Sequence, residues 1–133
     1  MKYLRLFESY RIKNLLNELD NIIDELGLSK DDYAIFGSGP LSIRNIIESN
    51  DLDIIIKKNK YPFKENPKKL GNIEFSYNWP DIEDINILID NSEIIENHPF
   101  VKMEYVKMYK NKMNRFKDKI HLKKIKEYED KKL

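Results

Sequence analysis

A long apolar stripe at helical spacing begins near the start of the chain. From Ser9 to Leu26, apolar residues recur every three or four positions, at Ile12, Leu15, Leu16, Leu19, Ile22, Ile23 and Leu26. This spacing puts them on one face of an α-helix, and the Gly27 that follows is the residue type that commonly ends a helix. The pattern therefore predicts an amphipathic helix over Ser9–Leu26 that covers a sheet.

Four segments are predicted to be β-strands. The first two contain short apolar runs, and the third alternates apolar and polar residues, as a strand exposed on one face does. The fourth is a short segment near the end of the sheet-forming part of the chain. In chain order they are Tyr33–Phe36, Asp51–Ile56, Asn72–Tyr77 and Glu93–Glu96. The polar segment from Lys57 to Leu70 contains two prolines. It is predicted to be a loop with at most one helical turn.

Further helices are predicted between and after these strands. Pro40 suits the first turn of one of them, and Asp81 is the candidate N-cap of the next. The last two are rich in lysine and meet near Asn114-Arg115. The four segments are Leu41–Ile47, Ile82–Ile89, Met103–Lys112 and Phe116–Tyr128. We therefore expect an α/β or α+β fold, with a mixed sheet flanked by helices, a long N-terminal helix and a helical C-terminal extension.

Composition narrows the class of protein. A chain of 133 residues is sized for one domain, here with a core at about 30–97 and C-terminal helices at about 101–130. Charged residues make up 35% but nearly cancel to +1, so net charge demands neither nucleic acid nor an acidic partner. The absence of cysteine excludes disulfides, thiol catalysis and cysteine-ligated zinc. No signal peptide or membrane-spanning run is recognisable, so we expect a cytoplasmic protein without membrane association.

Two acids on the second strand give the first indication of chemistry. Asp51 and Asp53 alternate with apolar residues, so an extended chain points both carboxylates to one face. Two carboxylates at such a short distance repel each other unless a cation lies between them. Mg²⁺ takes oxygen ligands and leaves room for substrate phosphates. The upstream Gly37-Ser38-Gly39 turn could supply backbone N–H groups to those phosphates, or be an ordinary strand-to-helix turn.

These residues also carry a resemblance to a known family. Gly37-Ser38, followed thirteen residues after Ser38 by Asp51-Leu52-Asp53, resembles the signature of the nucleotidyltransferase superfamily with the polymerase-β-like fold. The run Gly-Ser-Gly-Pro-Leu-Ser-Ile-Arg is similar to small stand-alone members of that superfamily. The same is true of Lys110 followed by Arg115-Phe116-Lys117-Asp118, and the resemblance spans roughly Tyr33 to Tyr128.

The resemblance implies a role for each matching residue. Gly37 and Ser38 would hold the β- and γ-phosphates of a nucleoside triphosphate, and Asp51 and Asp53 would hold two Mg²⁺ ions. A third acid on a neighbouring strand usually completes the site, and mid-strand Glu74 is the candidate. Two competing acids lie on the predicted third helix, namely Glu83 and Asp84.

Several cations and aromatic residues have two open interpretations. Arg44 could reach a phosphate or cap its helix, and Tyr77 and Trp79 could stack on a base or simply pack. The basic residues of the last helices could bind the triphosphate or an acceptor RNA, or form a solvated face; they are Lys110, Arg115 and Lys117. Asp118 is expected to pair with a neighbouring cation. His98 is predicted in a loop and His121 on the basic helix, too isolated to form a metal site.

The resemblance implies a Mg²⁺-dependent nucleotidyltransferase that moves a nucleoside monophosphate from an NTP to an acceptor hydroxyl and releases pyrophosphate. The catalytic and metal-binding residues would be Asp51, Asp53 and Glu74; the nucleotide-binding residues would be Gly37, Ser38, Arg44, Lys110 and Lys117. The acceptor stays open between an RNA or tRNA end, a protein and a small molecule, and a homodimer could supply a missing acceptor surface. The alternative is a non-catalytic nucleotide-binding or toxin–antitoxin partner protein that retains the fold.

Overall fold

A computed structural model of the chain describes residues 2–132, and their side chains from Arg11 onward. The fold is of the mixed α+β class, as predicted, with a six-stranded sheet and five α-helices. The helices are α1 (Lys2–Leu26), α2 (Gly39–Ser42), α3 (Ile85–Asp90), α4 (Met103–Met113) and α5 (Phe116–Lys131). The strands are β1 (Tyr33–Phe36), β2 (Leu52–Ile56), β3 (Lys68–Leu70), β4 (Ile73–Ser76), β5 (Glu93–Ile95) and β6 (His98–Phe100).

The sheet has the strand order β3-β4-β2-β1-β6-β5 and mixes both pairing directions. Its central strand β2 runs antiparallel to β1 and parallel to β4. Asp53 on β2 therefore lies between Phe36 on one neighbour and Glu74 on the other. Since residues in register share a face of the sheet, this pairing places two carboxylates side by side.

Each face of the sheet has its own apolar cluster. Helix α1 covers one face, where Leu19 packs in a cluster with Ile54 and Phe75. The opposite face is covered by the shorter helices, through residues such as Leu88 of α3 and Ile125 of α5. Because strand side chains alternate between faces, Asp53 and Glu74 lie on the α5 side, away from α1.

The amphipathic stripe and the glycine stop of α1 are confirmed. The helix begins earlier than predicted, at Lys2, and ends before Gly27, which adopts the left-handed conformation with φ +67°. The joint between α4 and α5 is also confirmed, with Asn114 in the left-handed conformation at φ 52°. No described helix is long and apolar enough to cross a membrane.

Two element predictions were wrong. The segment from Lys57 to Leu70 contains the one helical turn that its prediction allowed, a 3-10 turn at Lys58–Lys60, but it also contains β3, an edge strand held by pairing with β4. Helix α2 occupies Gly39–Ser42 instead of Leu41–Ile47. Both depend on tertiary pairing or packing that a local pattern does not contain.

The N-cap of α3 is Asp84, and the predicted Asp81 was wrong. The Asp84 Oδ1 atom accepts a hydrogen bond of 2.9 Å from the backbone N–H of Asn86. Asp81 instead adopts a positive φ of 63°, three residues before that cap. At the other end of the chain, α5 continues to Lys131, beyond its predicted end at Tyr128, and Leu133 lies outside the described residues.

His98 is a strand residue, and its predicted placement in a loop was wrong. It is only 2% exposed on β6, with its Nδ1 atom 2.9 Å from the Tyr33 hydroxyl and its Nε2 atom 2.7 Å from Asp20 Oδ1. Burial lowers the His98 pKa, although Asp20 opposes that shift. The sequence shows only a polar residue before a proline, which is typical of a loop. The two side chains that make burial of His98 possible, Tyr33 and Asp20, are distant in the chain.

The packing of α1 on the sheet predicts the effect of truncating its buried face. Leu19→Ala should lower the free energy of unfolding by about 2–5 kcal/mol, because Leu19 is 0% exposed and its removal leaves a cavity. Glu18→Ala, at an exposed position of the same helix, should change it by less than about 0.5 kcal/mol. Urea unfolding of both variants measures the difference, and equal losses would contradict this packing.

Candidate functional site

A cleft of about 280 Å³ opens where β1 ends and faces α4 and α5. Its floor comes from the glycine turn after β1 and from Asp53 of β2. The opposite wall is basic and comes from the two C-terminal helices and their joint, through Lys110, Arg115, Lys117 and His121. We call this space the glycine-turn cleft.

The glycine turn is shaped by contacts that exclude a larger residue. Gly37 has φ +60°, and a Cβ atom added there would stand 2.3 Å from Asp53 Oδ2. A Cβ at Gly39 would stand 2.4 Å from Ile35 Cγ2. The Ser38 hydroxyl is hydrogen-bonded to the buried Ser49 hydroxyl, which ties the turn to the segment leading into β2. The backbone of the turn therefore lies directly against the Asp53 carboxylate.

Two of the three predicted acids, Asp53 and Glu74, lie on one face of the sheet, and the third, Asp51, lies just before β2. Asp53 and Glu74 are register partners, and Asp51 precedes Asp53 by two positions at an exposed point before β2. Burial, and then the negative charges of Asp51 and Glu74, together raise the pKa of Asp53 to about 6. Lys69 and Lys117 oppose the shift. The floor of the cleft thus carries a carboxylate whose ionised form is destabilised.

The donor chemistry of this face fits a magnesium ion together with a phosphate ligand. In the part of the chain that the structure describes, no group of three or more His, Asp or Glu side chains is placed to hold a metal. Mg²⁺ is, however, usually bound by one or two carboxylates, with waters and substrate phosphates as the other ligands. Asp53 with one acidic neighbour meets that requirement, and a cation would offset the repulsion that raises its pKa.

The basic wall is held in place by a buried carboxylate. Asp118 is 0% exposed and accepts three hydrogen bonds from Arg115: from the backbone N–H at 3.0 Å, from Nε at 2.7 Å and from Nη2 at 3.1 Å. Lys110 Nζ lies 3.6 Å from Asp118 Oδ1. The Arg115 guanidinium holds the Asp118 pKa down to about 2. The expected pairing of Asp118 with a neighbouring cation is therefore confirmed.

His121 is a cleft residue that the sequence interpretation did not select. Its Nδ1 atom lies 2.9 Å from Lys110 Nζ, and it must accept there because an ammonium group has no lone pair. Burial, and then the charge of Lys110, lower the His121 pKa. The signal available in the sequence was its position four residues after Lys117, which puts both side chains on one helical face.

Aromatic residues close one side of the cleft by packing on one another. Trp79 lies 4.7 Å from Phe36 and 6.2 Å from Tyr109, measured between ring centroids. The Trp79 Nε1 donor is buried and has no hydrogen-bond partner in the described part of the chain. Tyr77 lies outside the cleft lining and packs on Tyr61, with ring centroids 5.1 Å apart. Trp79 therefore combines packing with an unused N–H donor at the cleft.

Several predicted residues lie outside this cleft. Arg44 donates to the Pro40 carbonyl at 2.7 Å and forms an ion pair with Glu93, so it ties down the end of α2 and lines a different groove. Glu83 and Asp84 line a separate small cavity. Of the eight residues predicted to be catalytic or nucleotide-binding, Asp51, Glu74 and Arg44 do not line the cleft. It brings together the other five, namely Gly37, Ser38, Asp53, Lys110 and Lys117.

No protein-family model matches the chain, and neither does any curated protein or solved structure. The interpretation of the cleft therefore depends on its own residues and on the pattern of the sequence.

The close approach of Gly37 to Asp53 predicts that an alanine at Gly37 lowers the free energy of unfolding. Gly37→Ala and Gly71→Ala both place alanine at φ +60°, which costs about 1–2 kcal/mol in each case. Only at Gly37 does the new Cβ meet a neighbour, so that variant should lose roughly 1–3 kcal/mol more. Chemical unfolding measures both values, and equal losses would disprove the close approach to Asp53.

The raised pKa of Asp53 predicts a pH-dependent stability gain on neutralisation. Above pH 6 the folded protein holds an unfavourable carboxylate, whereas below about pH 4 the group is protonated in both states. With a metal chelator present, Asp53→Asn should therefore be more stable than the parent at pH 7.5, by on the order of 1–3 kcal/mol, and equally stable near pH 4. Thermal and urea unfolding across pH test this, with the exposed Asp24→Asn as a control that should show no such trend.

Proposed function

We propose that this protein is a Mg²⁺-dependent nucleotidyltransferase, which moves a nucleoside monophosphate from an NTP to an acceptor hydroxyl. The observation that carries the proposal is the meeting of the glycine turn, Asp53 and the Lys110–Lys117 basic wall in one cleft. The glycine turn and Asp53 are close in the chain, but the basic wall lies more than fifty residues beyond Asp53, and all three were selected from the sequence. A phosphate donor needs all three: backbone to approach it, a carboxylate to hold a cation, and positive side chains.

The basic wall suits the triphosphate of the donor. Lys110 and Lys117 line the cleft beside Arg115, so their charges face the space that the glycine turn borders. Asp118 accepts a hydrogen bond from Arg115 and forms an ion pair with Lys110, and these contacts fix the two positive charges before a ligand binds. Positive groups fixed in this way stabilise the negative charge that builds up on pyrophosphate as it leaves. Trp79 also lines the cleft, and its buried Nε1 donor has no hydrogen-bond partner among the described residues.

The acids of the sheet suit the reacting end of the donor. Asp53 would hold Mg²⁺ at the floor of the cleft, and its neighbours Asp51 and Glu74, which lie outside the cleft lining, would complete the ligand set. When bound, the ion would neutralise the phosphates and favour ionisation of the acceptor hydroxyl. Glu74, the register partner of Asp53, would accept the proton of that hydroxyl or complete the ligand set. The bond from the α-phosphorus to pyrophosphate breaks as the new ester bond forms, so no nucleophilic side chain is required.

A second candidate function is nucleotide binding without transfer. Two observations favour it: the described residues form no three-ligand metal group, and neither Asp51 nor Glu74 lines the cleft. On this alternative the protein would use the same turn and basic wall to bind a triphosphate, and would act as a sensor or partner protein.

The test is transfer from an NTP labelled at its α-phosphate. The protein should label total cellular RNA or protein with at least one of the four NTPs when Mg²⁺ is present, and chelation should abolish the labelling. Asp51→Asn combined with Asp53→Asn should reduce it by at least about 10³-fold, because the carboxylates that hold the ion are lost.

A matched control neutralises two acids elsewhere. Asp24→Asn with Glu25→Gln removes the same charge from exposed positions of α1, and transfer should persist. Full transfer by the Asp51/Asp53 variant would overturn the mechanism. Tight binding of an NTP without any transfer by the parent protein would favour the second candidate.

A further inference from the structure

One face of α5 connects the glycine-turn cleft to a second groove. Lys117 and His121 line the cleft, and Lys124, Tyr128 and Lys131 line a groove of about 560 Å³ farther along the helix. These five residues recur at intervals of three or four, so they form a single stripe on one face of the helix. We call them the α5 stripe; from first to last it spans about 21 Å at ~1.5 Å per residue.

The second groove is basic and holds an aromatic ring. Lys124, Lys131 and Lys132 contribute three positive charges, and none of them forms an ion pair with the described residues. Glu127 is the one acid in its lining. Lys132 Nζ lies 5.0 Å from the centroid of the half-buried Tyr128 ring. The groove therefore offers positive charge beside an aromatic surface.

The small net charge of the chain hides a strong separation of charge. Residues 101–133 contain twelve Lys or Arg against five Asp or Glu, whereas residues 1–100 contain twelve against eighteen. The α5 stripe lies in the positive part. Such a separation attracts a polyanion to α5 and lets the acidic remainder of the chain repel it elsewhere.

We propose that the α5 stripe binds the backbone of a single-stranded RNA whose end enters the glycine-turn cleft as the acceptor. This inference rests on the proposed function, to which it adds the class of acceptor. The lysines of the stripe recur every seven residues, about 10.5 Å along the helix, which matches phosphates roughly three nucleotides apart on a stacked strand. An aromatic ring among them can stack on a base in a sequence-independent way. A duplex would hide its bases from Tyr128, so a single strand fits better than a double strand.

The length of the stripe sets the length of the RNA. At ~3.4 Å per stacked nucleotide, about 21 Å corresponds to roughly six nucleotides between the far groove and the cleft. RNA of twelve nucleotides should therefore bind much more tightly than RNA of three, which cannot contact both ends of the stripe.

The experiment measures binding of a labelled twelve-nucleotide RNA by fluorescence anisotropy, with neither NTP nor Mg²⁺ present. Lys124→Gln with Lys131→Gln should weaken binding and reduce the slope of log affinity against log salt by about 1.4, the value for two lost phosphate contacts on a single strand. Tyr128→Leu should weaken binding by roughly 5- to 100-fold and leave that slope unchanged, since it removes stacking without removing charge.

The chain supplies a control with the same change of charge. Lys123→Gln with Lys126→Gln alters two exposed lysines on the opposite face of α5, and RNA affinity and salt slope should stay near the parent values. Equal effects of the two double variants would overturn the inference, because the attraction would then be general. Binding of polyglutamate as tight as that of the RNA would overturn the assignment to nucleic acid.

The two proposals fail in different ways. Because the binding assay contains no nucleotide, a protein that transfers nothing can still lose RNA affinity through Lys124 and Lys131, and only the proposed function then fails. If the parent protein transfers nucleotides while the Lys124/Lys131 variant binds RNA as the parent does, only the RNA inference fails.

Discussion

The close approach of the Gly37 backbone to the Asp53 carboxylate determines the geometry of the candidate site. Any side chain at Gly37 would collide with Asp53 Oδ2, so the turn after β1 and the acid of β2 lie together only because this residue is glycine. The antiparallel pairing of β1 with β2 brings the two strands into that register, with Phe36 opposite Asp53. A phosphate that lies on the turn would then lie next to whatever cation the carboxylate holds. Sheet pairing, turn conformation and candidate chemistry thus depend on one contact.

Charge is arranged around this contact at some cost to stability. Asp53 is partly buried near two other acids and has a raised pKa, which is unfavourable for the folded protein without a ligand. Across the cleft, the buried Asp118 has a lowered pKa because Arg115 and Lys110 surround it. The two carboxylates have opposite environments. The charge of Asp118 is balanced by Arg115 and Lys110, whereas Asp53 forms no ion pair with the described residues. Perturbed groups that need a partner are typical of binding and catalytic sites, which supports the assignment of the cleft.

The sequence alone predicted much of the fold because the relevant signals are local. The stripe from Ile12 to Leu26 and the glycine after it define α1, and the apolar runs at Tyr33 and Leu52 define two central strands. The edge strand β3 was missed because its lysines carry no apolar pattern and its pairing with β4 is its main support. His98 was misplaced for a related reason: its burial depends on Tyr33 and Asp20, which are distant in sequence. Local patterns do not record such partners.

For the candidate site, the sequence by itself determined which residues have the chemistry: a glycine turn, alternating acids and a segment with lysines and one arginine. Residue type and spacing are sufficient for this, because alternation on a strand fixes which side chains share a face. Only the tertiary structure decided which of them meet. It set Glu74 beside Asp53 through the parallel pairing of β4 with β2, brought Lys110 and Lys117 across the cleft, and directed Arg44 to Glu93 instead. It also added His121 to the cleft and joined the cleft to a second groove along α5. These outcomes depend on how helices and strands that are far apart in the chain pack together, and the residue pattern of a single segment does not specify that packing.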